Sequence, residues 1–253
     1  MSTMPLAQEV YYPESDGRPM AETEVHGQVM IDLWNALRRR YASVPDVYAW
    51  GNMFLYYQQG NPSACVAPDL FLVHGVDKRV RRTYKLWEEG RVPSLIIEVT
   101  SKSTRDEDEV EKKGIYERLG VEEYFLFDPL GEYLRPQLQG YRRVGGRYQA
   151  LAPEADGSLA SRTTGLRLAP EGERLRLRDA ATGEPLLWSE EQAEAQQAAE
   201  EHARAAEERA GQEARRAERE AQRADQEMRA RQSAEERIRQ LEEELARRNP
   251  SSR

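Results

Sequence analysis

PSLIIEVTSKSTRDEDEVEKKGIYERLGVEEYFLFDP, residues 93–129, is the stretch whose reading decides the fold. Leu95, Ile96 and Ile97 form an apolar run that reads as a buried strand, interrupted by Glu98 and resumed by Val99. A carboxylate inside such a run is costly unless it is paired, protonated or bound to a metal. A charged run from Thr104 to Glu111 follows. Lys112, Ile115, Tyr116, Leu119 and Val121 then recur with helical spacing, and Gly120 closes that helix. Tyr124, Phe125, Leu126 and Phe127 make a second buried strand, stopped by Asp128-Pro129. Strand, helix and strand in this order predict a parallel pair joined by a right-handed crossover.

Working upstream, Pro68-Asp69 opens another apolar strand, Leu70 to Val73. An acid therefore stands at the mouth of one strand, a second inside the next, and a lysine on the helix that follows. Strand signals cover 46–50 and 53–57, separated by the turn signal Gly51-Asn52, with a loop at 58–63. Before them, Val25, Val29, Leu33 and Leu37 recur every four residues, widened by Met30 and Trp34, and predict a helix over 21–41. Glu22 and His26 share one face of it, either as a surface pair at a helix start or as part of a site. Residues 1–20, rich in proline, glycine and polar side chains, read as a loose N-terminal arm. Beyond Val73, the cations Lys78, Arg79, Arg81, Arg82, Lys85 and Arg91 are interleaved with Tyr84 and Trp87. That mixture suits a nucleic-acid backbone and its bases, or a solvated loop with a tucked tryptophan.

Downstream of Pro129 the chain turns short and β-like, with turn signals at Gly140-Tyr141, Gly145-Gly146 and Asp156-Gly157. Leu166-Arg167-Leu168 and Leu175-Arg176-Leu177 alternate as half-exposed strands do, and predict an antiparallel extension of the sheet. From Ser189 to Arg248 the composition becomes Ala, Glu, Arg and Gln with a single glycine, Gly211. Ala199, Ala203, Ala206 and Ala210, then Ala214 to Met228, then Ala234, Ile238, Leu241 and Leu245 make a heptad-like seam in three phases. This predicts a long helical coiled-coil arm for oligomerisation or a partner, ended by Asn249-Pro250. The domains expected are an arm at 1–20, a globular domain at 21–188 and the helical tail at 189–250.

The 253 residues carry 32% charged and 39% apolar side chains. One cysteine, Cys65, excludes an internal disulfide and a cysteine-rich zinc site, and its setting reads as a plain buried thiol. No signal-peptide pattern and no run of about 18 apolar residues is present, so the chain reads as soluble and cytoplasmic. A net charge of −8 counts against broad, nonspecific nucleic-acid affinity, while leaving local patches open.

Two carboxylates arriving from adjacent strand ends make a hard, oxygen-rich site of the kind Mg²⁺ or Mn²⁺ prefers. Such an ion polarises a phosphate and acidifies water, and a nearby ammonium stabilises charge on phosphoryl oxygens. Asp69 and Glu98 are the candidate metal ligands, with the backbone carbonyl of Val99 at the same edge. Lys112 is the candidate ammonium. Lys102 is the alternative, because residues 98, 100 and 102 share a face if the strand continues. The bland reading makes Asp69 a turn residue and Glu98 the partner of an arginine.

The strings APDLF, IIEVTSKSTRDEDEVEKKGIYERLGVEEYFLFDP and AETEVH resemble the Uma-two family of restriction endonucleases, in the PD-(D/E)xK nuclease superfamily. The resemblance covers residues 21–185. It implies an α/β fold, a restriction-endonuclease-like mixed central sheet with flanking helices, here followed by the long C-terminal helix or coiled coil. It also implies a divalent-metal-dependent phosphodiesterase site: Asp69 and Glu98 as the acids, Lys112 spaced to Tyr116 as the lysine, Glu22 with His26 as a helical accessory. One departure is plain: Thr100 occupies the usual E-x-K lysine position. The expectation is a Mg²⁺-dependent DNA endonuclease acting as a homodimer, with Lys78, Arg79, Arg81, Arg82 and Lys85 as candidate nucleic-acid contacts. Its rivals are an inactive nuclease fold that binds or scaffolds through its tail, and an RNA-directed or repair nuclease.

Overall fold

The computed structural model describes residues 10–15, 17, 23–101 and 104–248. The first helix, α1 (Glu24–Arg40), starts where the Thr23 hydroxyl accepts from the His26 amide at 3.3 Å. Three arginines, Arg38 to Arg40, occupy its last turn, where cations suit the carbonyl end. Of the start expected at residue 21, the first two positions lie outside the described residues.

β1 (Val47–Trp50), β2 (Leu55–Tyr56), β3 (Cys65–Val66), β4 (Leu70–His74) and β5 (Tyr84–Lys85) follow, then the single turn α2 (Leu86–Glu89). Cys65 is half-buried rather than buried, because it stands on a two-residue strand with little cover. β6 (Leu95–Val99) leads through a π-helical turn (Glu107–Lys112) into α3 (Lys113–Leu119) and β7 (Glu123–Phe127). The π turn was not legible in the charged run. Inside it the Tyr124 hydroxyl donates to the Asp108 carbonyl at 2.9 Å, and a side chain inserted into the helical ladder widens it. Gly120 ends α3 at φ 92°, a left-handed position that disfavours any side chain. β8 (Leu138–Val144), β9 (Arg147–Ala150), β10 (Leu159–Ser161), β11 (Leu166–Glu171) and β12 (Arg174–Asp179) precede the long helix α4 (Ser189–Arg248).

The main sheet has the order β1-β4-β6-β7-β8-β9, in which β6 and β7 are parallel and every other pair is antiparallel. It is the mixed α/β sheet expected, with the parallel crossover made by the π turn and α3. Side chains alternate across it. Leu70, Leu72, Ile97 and Phe125 pack with Val29, Leu33 and Leu37 of α1 and with Leu166, Leu168, Leu175 and Leu177. Phe71, Ile96, Tyr124 and Leu126 pack on the other face with Tyr116 of α3, and with Leu55 and Tyr84.

β2 lies outside the main sheet in a small one, β3-β2-β5, while β1 pairs with β4. One expectation is corrected here. The strands at 166–177 likewise form a separate sheet, β10-β11-β12, and only β8 and β9 extend the main one. Arg176 breaks the apolar-in, basic-out reading: it is 5% exposed, because its guanidinium lies on the Trp188 ring and pairs with Glu171 and Glu191. The chain divides into two compact units, Met1–Gln192 and Ala193–Arg253.

Candidate active site

Asp69 stands at the N-terminal edge of β4, and its backbone position is fixed from both sides. The Trp34 indole N–H donates to its carbonyl at 2.7 Å, and the Asn52 amide donates to the Pro68 carbonyl at 2.7 Å. Gly51 packs so closely on the Asp69 carbonyl that a Cβ there would collide with it. The Asp69 carboxylate accepts from the Val99 amide at 2.7 Å and lies 3.4 Å from His26 Nε2. The Asp69 amide in turn donates to Glu98 Oε2 at 3.1 Å. The two acids are thus knitted together through each other's backbone: β4 and β6 run antiparallel as neighbours, which brings the start of one to the end of the other.

Glu98 has no exposed surface. Its Oε1 accepts from the Tyr116 hydroxyl at 2.7 Å, and its Oε2 lies 3.3 Å from Lys112 Nζ. The cation beside it is therefore a lysine, not the arginine of the bland reading. Lys112 Nζ also sits 2.9 Å from Asp108 Oδ1, four residues earlier on the same helical segment. Asp108 is itself buried, and the Lys112 ammonium is the cation that faces it. Burial pushes the Glu98 carboxyl well above the usual range, with the Lys112 charge opposing it. Burial works against the Lys112 charge, but Glu98, Asp108 and Asp69 together lift its pKa far above the ordinary lysine value. Lys112 is accordingly an ammonium with carboxylates around it. Asp108 is raised too, by burial first, against Lys112.

The structure thus brings together Asp69, Glu98, Val99, Lys112, Tyr116 and His26. Val99 is tied to the group by its amide. Glu22 and Lys102 lie outside the described residues. Thr100, at the E-x-K position, is buried, and its hydroxyl has no hydrogen-bond partner among the described residues. Asp108 and Trp34 were missed. Asp108 had a signal, since Asp108, Lys112 and Tyr116 are spaced four apart on one helical face; Trp34 had none beyond its place in an apolar stripe. Among the described residues no three His, Cys, Asp or Glu side chains converge as a ready metal cage.

The cationic patch is internally balanced. Arg81 is buried against Asp77 and Glu89, Arg79 shares those acids, Arg82 pairs with Glu14 and Lys85 with Glu88. The Lys78 ammonium donates to the carbonyls of Tyr41 and Ala42.

A mixed sheet with two acids at adjoining strand edges and a lysine on the crossover helix suits a nuclease-like class of protein, the class to which comparison with known proteins points. The chain belongs to the Uma2 family, described as "Putative restriction endonuclease", whose model matches residues 3–171. Five solved chains match. One is the crystal structure of "a putative nuclease belonging to DUF820" from Anabaena variabilis ATCC 29413, with a TM-score of 0.45 and 13% identity over 63% of this chain and 87% of that one. No curated protein matches. Membership supports a nuclease-like function. Among the described residues no helix is long and apolar enough to cross a membrane.

Proposed function

We propose that the chain is a divalent-metal-dependent endonuclease that hydrolyses DNA phosphodiester bonds. The observation that carries the reading is Glu98: a carboxylate with no exposed surface, bonded to Tyr116 and to the Asp69 backbone and facing an ammonium. Burying it is expensive, and a structural ion pair would be served more cheaply by apolar packing.

The donor chemistry fits a divalent ion. Asp69, Glu98 and Asp108 crowd one ammonium, Lys112, so the cluster holds more acidic groups than cations. Its donors are hard oxygens of the kind Mg²⁺ or Mn²⁺ prefers. Asp69 and Glu98 would hold the ion, with the Val99 carbonyl at the same edge, and its remaining positions would fall to water and phosphate oxygens. Bound there, the ion supplies Lewis acidity to a phosphoryl oxygen and makes water acidic.

The chain's own residues divide the remaining work. Lys112, held as an ammonium, stabilises negative charge developing on phosphoryl oxygens and is unsuited to accept a proton. Asp108 gives the ammonium a second anionic partner beside Glu98. The Tyr116 hydroxyl orients Glu98 through Oε1 and leaves Oε2 directed to Asp69 and Lys112. His26 borders Asp69, where a phosphate or water would approach.

Nicking of supercoiled plasmid in Mg²⁺ or Mn²⁺ tests the reading. Glu98→Gln and Asp69→Asn should each lose about 100-fold or more, the scale on which single transition-state-stabilising groups act. Cutting by Glu98→Gln at the wild-type rate would sink it. A second reading, an inactive nuclease fold that binds a partner through its tail, is favoured by the exposed Met228, Ile238, Leu241 and Leu245. It gains only if neither the full chain nor a tail-less chain cuts, and loss of the tail abolishes partner binding. Under the first reading the same seam joins two copies, so that two sites address two strands.

A further inference from the structure

A cleft of about 370 Å³ lies along the edge strand β1, between the last turn of α1 and the loop before β5. Arg38 and Tyr41 wall it on the helix side, Lys78 and Arg79 on the loop side, with Tyr48 and Trp50 between. Two indoles connect it to Asp69. Trp50 stacks on Trp34 with ring centres 6.0 Å apart and planes 11° from parallel, and the Trp34 indole holds the Asp69 carbonyl at 2.7 Å.

The cations of the cleft are not equivalent. Arg81, Arg79 and Lys78 are already taken by Asp77, Glu89 and the carbonyls at the end of α1. To meet a phosphate they would first have to break those contacts. Arg38 has no carboxylate or carbonyl partner among the described residues; its guanidinium lies 5.0 Å from the centre of the Trp50 ring. An indole face restrains a guanidinium without neutralising it, and leaves its N–H fork free for a planar, bidentate acceptor. In a chain of net charge −8, one restrained and unneutralised cation linked through two indoles to Asp69 is a specific feature.

We propose that this cleft receives the DNA backbone flanking the scissile bond, and that Arg38, presented by the Trp34–Trp50 stack, contacts a phosphate there. The proposal deepens the nuclease reading above and rests on it for the identity of the ligand. The cleft, not the acid-paired cationic loop, is then where the strand is held.

The test is fluorescence anisotropy with a labelled DNA duplex, full-length protein, no added divalent ion, and a series of salt concentrations. One phosphate contact contributes about one unit to the slope of log affinity against log salt. Arg38→Gln should lower the slope by about one and weaken binding about tenfold at 0.1 M relative to 1 M salt, because affinity scales with that power of salt. Arg38→Lys should restore the slope. Arg82→Gln, on the acid-paired loop outside the cleft, should bind within twofold of wild type. In nicking assays Arg38→Gln should raise the half-saturating DNA concentration and leave the maximal rate unchanged. Arg38→Met, which keeps an aliphatic cover on Trp50, replaces Arg38→Gln if the latter melts early.

An unchanged slope in a folded Arg38 variant, or no binding by wild type, overturns the cleft assignment. The two proposals fail separately. Glu98-dependent cutting with an Arg38-independent slope removes the cleft and keeps the nuclease. An Arg38-dependent slope, with cutting that ignores Glu98, keeps the cleft and removes the chemistry.

Discussion

Glu98 has no exposed surface, and that has a thermodynamic signature apart from catalysis. Burial raises its folded pKa above the unfolded value, so the folded chain holds the Glu98 proton more tightly. The sign follows: ionising Glu98 costs nothing below the unfolded value near 4.3, and destabilises the fold increasingly as pH rises toward the folded value. Replacing it with a neutral amide removes that cost, while Lys112 keeps Asp108 as its partner. In chelator, Glu98→Gln should therefore melt higher than wild type at pH 8, with the gap closing toward pH 4.5. Added Mg²⁺ should raise the melting point of wild type alone, because an ion that binds only the folded state stabilises it. A lower melting point for Glu98→Gln at pH 8 would mean the Lys112 pair outweighs the burial. Glu98 was legible at this scale because a lone acid in an apolar run is conspicuous. Composition does not separate Asp108 from Asp106, Glu107, Glu109 and Glu111; only its four-residue spacing to Lys112 and Tyr116 marks it as the acid that turns inward. The acid pairing of the cationic loop was equally hidden, since Glu89 reaches Arg79 and Arg81 only through the turn of the chain between them.

At the scale of elements, periodicity carried the central unit: β6, the crossover and β7 stand where strand, helix and strand were expected. Sheet membership was less legible. β2 is two residues long and pairs with β3 and β5, and nothing in a short apolar run states which edge it joins. The join between β1 and β4 illustrates what sequence conceals. Gly51 reads as a turn residue, yet it is required by close approach: an added Cβ would meet the Asp69 carbonyl and the Trp34 indole nitrogen. The carbonyl belongs to the backbone and cannot swing aside. Gly51→Ala should destabilise the fold by about 2 kcal/mol or more, from overpacking. For a domain of this size that is a fall of roughly 4–8 °C in melting temperature, read by circular dichroism. The strain is delivered to Asp69 itself, so nicking should fall with it at a temperature where the variant is still folded. A variant that melts and cuts like wild type would show that β1 and β4 do not meet this closely.

For the molecule as a whole, the question is where the folded body stops and the arm starts. We propose a nuclease-like domain at 21–188 with a helical arm at 189–250, and the first turn of α4 carries the join. Arg174 pairs with Asp32 at 2.5 Å and with Glu190; Arg176 pairs with Glu191 at 2.7 Å; both guanidinium groups lie over Trp188, at 3.6 and 3.2 Å. Asn35 donates to the Ser189 hydroxyl at 3.0 Å. The Arg176 guanidinium holds Glu191 down to about 2, so this contact persists above the usual carboxylate range and opens only as pH falls through that value. Two truncations separate anchor from arm. A chain ending at Gln192 keeps every one of these contacts and should melt within about 1 °C of the full chain, since surface changes away from such features cost little. A chain ending at Pro185 loses Trp188, Glu190 and Glu191 and leaves the buried Arg176 with Glu171 alone. Removing one partner of a buried pair costs about 3–5 kcal/mol, so this chain should melt far lower. Light scattering on the same proteins addresses the arm. Ile238, Leu241 and Leu245 are exposed with heptad spacing, a seam that a second copy would cover. The full chain should run as a dimer and the chain ending at Gln192 as a monomer with its fold intact. A dimer that survives that truncation would place the self-association surface within the nuclease-like domain and leave the arm to another partner.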